Sequence, residues 1–189
     1  MKGRRKRKSR FIVIIILALV LINIKLIGRV IYPIKYEEYI YKYSKQYNLN
    51  PYVVAAVIKT ESKFNKDATS KKNACGLMQI TPSTAKEISQ KIKIKDFEVD
   101  MLYDPELNIN MGCWYLSDLR KEFGANMELI LAAYNGGRGN VKKWLNSSEH
   151  SKDGETLQYI PFKETDKYIK KVQVSYNIYS FLYEDNKNK

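Results

Sequence analysis

Asn50-Pro51-Tyr52-Val53-Val54-Ala55-Ala56-Val57-Ile58-Lys59-Thr60-Glu61 is the stretch on which the fold turns. It opens with a helix-capping residue type and then proline at the first helical position, where a missing N–H costs nothing. Val54, Val57 and Ile58 recur at the spacing of one helical face, and Glu61 falls on that same face. The stretch predicts a central, largely buried helix that ends just beyond a carboxylate, since residues 62–73 are polar and loop-like. Burial disfavours a charged carboxylate, and so does the negative end of the helix dipole. Both raise the pKa, as a general acid near neutral pH requires. A solvated glutamate at a helix end is the plain alternative on spacing alone.

The flanking sequence is helical in the same way. Tyr36, Tyr39, Ile40, Tyr43 and Tyr47 recur at helical spacing. Thr81-Pro82 and Asp104-Pro105 repeat the cap-and-proline signal. The first precedes a helix over residues 83–91. The second precedes a long amphipathic helix carrying Leu107, Met111, Tyr115, Leu119 and Phe123, with Gly124 as its stop. Residues 127–134 and 141–145 read as shorter helices around a glycine loop, and a last helix covers 164–183. Alternating strand patterns are nearly absent, and there is no internal repeat. Residues 36–185 therefore read as one all-α domain, or α with a small irregular lobe.

Composition narrows the chemistry. The 189 residues carry a net charge of +13 and a single histidine, His150. Seven basic residues, Lys2, Arg4, Arg5, Lys6, Arg7, Lys8 and Arg10, crowd the first ten positions without an acid. The body is only moderately basic, which does not favour a nucleic-acid partner. A zinc site would have to draw three or four ligands from a very short list. A histidine-based triad would have to use His150, in a polar stretch that reads as a surface loop. No metal or cofactor is expected. Cys75 and Cys113 could pair outside the cell or stand as two isolated buried thiols.

The basic tail at residues 1–10 leads into an apolar run at 11–24, which continues past Lys25 through Leu26, Ile27, Val30 and Ile31. A bilayer core takes roughly 20 helical residues. Lys25 and Arg29 can snorkel to an interface, so residues 11–31 are expected to form a transmembrane helix. The basic tail orients it with the N-terminus in the cytoplasm and the remainder facing outward. A cleaved signal peptide is the rival, but no small-x-small cleavage pattern follows the run.

Four segments then appear in order. They are Glu61-Ser62-Lys63-Phe64, Gly76-Leu77-Met78-Gln79-Ile80-Thr81-Pro82, Ala132-Ala133-Tyr134-Asn135-Gly136-Gly137, and Ile160-Pro161-Phe162-Lys163-Glu164-Thr165-Asp166-Lys167-Tyr168. Together they resemble the soluble lytic transglycosylase family, whose catalytic domain is lysozyme-like. Asp104-Pro105-Glu106-Leu107-Asn108-Ile109, with Gly112 and Tyr115-Leu116, resembles that family's middle helix. The resemblance implies Glu61 as catalytic acid and base. It implies Ser62, Met78, Gln79, Tyr134, Asn135 and Glu164 as substrate-binding residues. Met78 and Gln79 would line the sugar groove, Tyr134 would lie close to the carboxylate, and Glu164 would lie at the cleft floor. Asp166 departs from the family, which has arginine or a similar residue there.

The resemblance implies cleavage of peptidoglycan glycan strands. Glycosidases ordinarily use two carboxylates. Here one lies in a motif, and the muramic C6 hydroxyl would serve as the intramolecular nucleophile, giving a 1,6-anhydro product. A water-using muramidase is the near alternative, with Asp96, Asp100 or Asp104 as its second carboxylate. A wall-binding protein without catalysis is the more distant one.

Overall fold

The computed structural model describes residues 13–15 and 18–184. The basic tail at residues 1–10, residues 11–12 and 16–17 of the expected anchor and the last residue of the expected domain lie outside the described residues. The described helices are α1 (Ile24–Ile31), α2 (Glu37–Gln46), α3 (Pro51–Glu61), α4 (Pro82–Lys91), α5 (Pro105–Phe123), α6 (Met127–Gly136), α7 (Arg138–Leu145) and α8 (Lys163–Tyr183), with a 3-10 turn at Val99–Tyr103. Among the described residues there is no strand, only isolated bridges pairing Thr69 with Cys75 and Cys75 with Ile80. The chain forms two compact units, one of Met1–Ile34 with Ile178–Lys189, the other of Lys35–Asn177.

In the larger unit, the capping signals act where the sequence places them. Asn50 Oδ1 accepts the Tyr52 N–H at 2.8 Å, Thr81 Oγ1 the Thr84 N–H at 3.3 Å, and Asp104 Oδ1 the Leu107 N–H at 2.8 Å. Each satisfies an N–H that the first helical turn leaves without a partner. Gly124 ends α5 at φ 68°. Residues Tyr52 to Ile58 of α3 are all buried, so this helix fills the core rather than covering it. The long helix α5 packs against α2, α4, α6 and the 3-10 turn. Arg138, at the start of α7, reaches back to α5 and pairs with Asp118 at 2.6 Å and Glu122 at 3.1 Å. These pairs fix the turn at Gly137 that follows the Tyr134-Asn135 segment.

The smaller unit departs from expectation. The single helix expected over residues 11–31 is broken: Val13–Ile22 and Ile24–Ile31 are bent by 67°, and only together do they have the length and apolarity of a membrane span. Among the described residues no single helix is long and apolar enough to cross a membrane. The break falls at Asn23, whose side-chain amide donates to the Leu19 carbonyl at 2.8 Å. Asparagine competes in this way with the helical hydrogen-bond ladder.

Candidate active site

Glu61 is the last residue of α3. The two residues after Ser62, Lys63 and Phe64, both take left-handed backbone conformations, φ 54° and 63°. That conformation stops a right-handed helix, and the buried Phe64 ring ties the turn down. Glu61 is therefore held at the rim of the core, half-buried. Burial pushes its carboxyl up to about 7, and the hydroxyl of Tyr168 pulls the other way. No other charged group acts on it among the described residues. At neutral pH a large fraction carries a proton, in an ordered place, ready to give up.

Tyr168 comes from α8, more than a hundred residues along the chain. Its side chain is buried, and among the described residues its hydroxyl has no hydrogen-bond partner of good geometry, the Glu61 carboxylate being the group it acts on. Its pKa is raised well above the ordinary value, by burial first and then by the nearby charges of Glu61 and Tyr134. It thus stays a neutral hydroxyl facing the carboxylate. Tyr134 behaves alike: burial, then Glu61, raise its pKa, and its hydroxyl donates to the Met78 carbonyl at 2.8 Å. Its ring lies 5.4 Å from that of Tyr115, over which the Arg138 guanidinium stands, also at 5.4 Å.

The loop bearing Met78 is built around Asn108. This fully buried amide accepts the Met78 N–H at 2.8 Å and donates to the carbonyls of Leu102 at 2.8 Å and Cys75 at 3.0 Å. Gly76, at φ 76°, lies so close that a Cβ there would strike the Asn108 amide and the Leu102 carbonyl. Gln79 sits at φ 50°, and its amide donates to the carbonyls of Gly76 at 2.9 Å and Ala68 at 3.1 Å. The loop is thus pinned by side chains where no sheet supports it.

The expected contact residues fall into two groups. Glu61, Tyr134 and the Met78–Gln79 backbone come together, and Asn135 joins α8 by accepting the Thr165 hydroxyl at 2.9 Å. Three side chains do not stand as expected. The Met78 side chain is fully buried against Gly112, so it lies under the loop rather than along a groove. The Ser62 hydroxyl is turned back onto the Ile58 carbonyl at 3.2 Å. Glu164 is exposed in the first turn of α8 and makes no hydrogen bond or ion pair among the described residues. Asp166 pairs with Lys170 on the surface at 2.8 Å.

Among the described residues, none of the alternative carboxylates acts on Glu61. Asp104 is the cap of α5, and Asp96 and Asp100 are exposed. His150 packs edge-on against Tyr159 at 5.2 Å. Cys75 and Cys113 are buried free thiols. Sequence reasoning assigned no role to Asn108 or Tyr168. A polar residue on the buried face of α5, beside Ile109 and Met111, was the one signal available for Asn108.

Residues 38–157 match the family model described as the transglycosylase SLT domain. The chain is 35% identical over 150 residues to the soluble lytic murein transglycosylase of Salmonella typhimurium, which covers 78% of this chain and 23% of that protein. It is 35% identical over 122 residues to the membrane-bound lytic murein transglycosylase C of Pectobacterium atrosepticum, covering 60% of this chain and 34% of that one. Among solved structures, the 70 kDa soluble lytic transglycosylase of Escherichia coli superposes with a TM-score of 0.72 at 31% identity, over 82% of this chain and 25% of that one. An inactive mutant of the lytic transglycosylase Slt from Pseudomonas aeruginosa gives 0.71 at 35% identity, over 81% and 25%. The chain spans about a quarter of the length of these soluble relatives.

Proposed function

Because the chain belongs to the family defined by the transglycosylase SLT domain, we propose that it is a peptidoglycan lytic transglycosylase. It cleaves the β-1,4 bond between N-acetylmuramic acid and N-acetylglucosamine, with Glu61 as its acid and base. The observation that carries this reading is the half-buried Glu61 carboxyl at the end of α3, pushed up to about 7 by burial, with no second carboxylate acting on it among the described residues. The solved relative described as inactive differs from its parent by a glutamate-to-glutamine change, which supports a glutamate in this role.

Glu61 protonates the glycosidic oxygen as the bond breaks. The resulting carboxylate accepts the proton of the muramic C6 hydroxyl, which attacks C1 of its own sugar. No water is consumed and no external base is needed, so one carboxylate suffices. Tyr168 donates to the carboxylate in the interval, which holds it in place without protonating it. Tyr134, Asn135 and the Met78–Gln79 backbone form the wall beside the acid, and the exposed Glu164 at the start of α8 is the remaining proposed sugar contact.

The proposed setting is the outer face of a cell membrane. Residues 1–10 form a cytoplasmic basic tail, residues 11–31 the anchor, and residues 36–185 the wall-facing catalytic domain. The apolar run and the basic tail support this, as does the likeness to membrane-bound relatives.

Mass spectrometry of muropeptides released by the full chain tests the activity. The expected ends are 1,6-anhydromuramic acid, about 18 Da lighter than a hydrolysis product. Heavy oxygen at most new ends in ¹⁸O-water would instead show a muramidase.

A further inference from the structure

Lys25 and Arg29 interrupt the apolar run one helical turn apart, where a membrane-facing segment would ordinarily carry no charge. The smaller unit shows what covers them. The Lys25 ammonium stands 5.2 Å from the centre of the Phe181 ring. The Arg29 guanidinium stands 5.2 Å from that of Tyr183, and its Nε donates to the Leu182 carbonyl at 2.8 Å. That carbonyl belongs to the last turn of α8, where helical carbonyls lack intrahelical partners and the helix dipole is negative. The Tyr183 hydroxyl donates in return to the Tyr32 carbonyl at 2.9 Å, and the Tyr32 and Tyr179 rings meet edge-on at 6.2 Å. Gly28 makes the approach possible: a Cβ there would collide with the Leu182 methyl groups.

With both cations turned into this contact, the outward side of α1 is apolar. Leu26, Val30 and Ile31 are 62%, 77% and 64% exposed, and Phe181, stacked against Lys25 of the same helix, is 54% exposed. Scattered surface leucines are ordinary, but a contiguous patch of this kind marks a contact surface. The patch is continuous in sequence with the apolar run at 11–24. Its tyrosines, phenylalanine and paired cations are the residue types that collect where acyl chains meet headgroups.

We propose that the last turn of α8 is a membrane clasp: it closes over Lys25 and Arg29 of α1 and places Phe181 in the acyl–headgroup boundary of the lipid bilayer. The occupant of the apolar patch is lipid, and the inference rests on the membrane-anchor reading above. Helix α1 and the last turn of α8 thereby make one lipid-contacting element, so α8 contributes to anchoring as well as the apolar run. The two cations stay in the segment because the clasp supplies them with aromatic faces and a carbonyl instead of water.

The test uses the full chain in vesicles of phosphatidylethanolamine and phosphatidylglycerol. Phe181→Cys is labelled with an environment-sensitive fluorophore, with the parent protein labelled in parallel because its two thiols are buried. Flotation with the vesicles is measured first; a chain that stays in solution overturns both the anchor and the clasp. For a chain that floats, doxyl-labelled lipid is expected to quench the fluorophore at least twofold more than aqueous iodide does. Quenching mainly by iodide overturns the clasp and leaves the anchor standing. Protection from both quenchers overturns the lipid assignment in favour of a second protein copy. Adding Leu182→Asp, which opposes closure on Gly28, is expected to move the label from lipid to iodide quenching without loss of flotation. An unchanged pattern shows that Phe181 does not depend on the clasp and overturns it.

Discussion

The Met78 peptide is held from both sides: its N–H donates to Asn108 Oδ1 at 2.8 Å and its carbonyl accepts the Tyr134 hydroxyl at 2.8 Å. The two contacts link a buried amide on α5 to the tyrosine whose titration responds to Glu61. The loop beside Glu61 therefore has its position set by α5 and α6, and only locally by its own sequence.

Asn108→Ala is expected to leave the Met78 N–H and the Leu102 carbonyl without the Asn108 partner in the core, while the Cys75 carbonyl keeps the Ile80 N–H at 3.1 Å. Unpaired buried groups cost about 1–3 kcal/mol each, so the loss is about 2 kcal/mol or more. Urea unfolding at constant m measures it. A loss below about 1 kcal/mol would mean that water replaces the amide.

Gly76→Ala is expected to cost about 2–4 kcal/mol, from a side chain at positive φ and a Cβ driven against Asn108 and the Leu102 carbonyl. Gly139→Ala, where a Cβ meets open space within α7, serves as the comparison and is expected to be neutral or slightly stabilising. Equal melting temperatures for the two variants would show that the loop yields to the added methyl.

Glu61→Gln is expected to abolish glycan cleavage, to below about a hundredth of the parent rate, because glutamine has no proton of useful acidity. The same change is expected to stabilise the fold at high pH. Glu61 has a folded pKa of about 7, above that of an unfolded carboxyl. The native state therefore binds the proton more tightly, and the parent loses stability as pH rises between these two values. Removing the group removes that loss. The gain should be near zero at pH 4 and on the order of 1–3 kcal/mol at pH 8. Thermal melts across this range read it, and a pH-independent difference would show that the carboxyl is not displaced.

Tyr168→Phe deletes the hydroxyl that lowers the Glu61 pKa. The pH at which kcat/KM falls on the alkaline side is expected to rise, since Glu61 then holds its proton longer. The maximal rate should fall by about tenfold, because the carboxylate formed on proton donation loses a hydrogen bond. A lower rate with an unmoved alkaline limb would make Tyr168 a packing residue.

Protease added to intact protoplasts is expected to remove the folded domain and leave a membrane fragment. Recovery of a mature protein beginning near residue 30 in the medium would show that the apolar run is a cleaved signal.

The sequence alone determined what short-range physics decides. Asn50-Pro51, Thr81-Pro82 and Asp104-Pro105 start their helices because a cap and a proline satisfy or remove N–H groups within a few residues. The apolar stripe through Val54, Val57 and Ile58 likewise put Glu61 on a core-facing side at a helix end. Helical periodicity could not say which groups from elsewhere would arrive there. Tyr168 reaches Glu61, and Asn108 reaches Cys75, Leu102 and Met78, only after α8 and α5 pack against the loop. Side-chain direction was decided at the same stage: Met78 turned under its loop because Gly112 leaves room for it, and Ser62 turned onto Ile58. The break at Asn23 and the covering of Lys25 and Arg29 belong with these, since a hydropathy run records how apolar a segment is and not what packs on it. Local pattern set where each helix begins, and long-range packing set which hydrogen-bond donors and charges meet, because those depend on distances that the chain acquires only when folded.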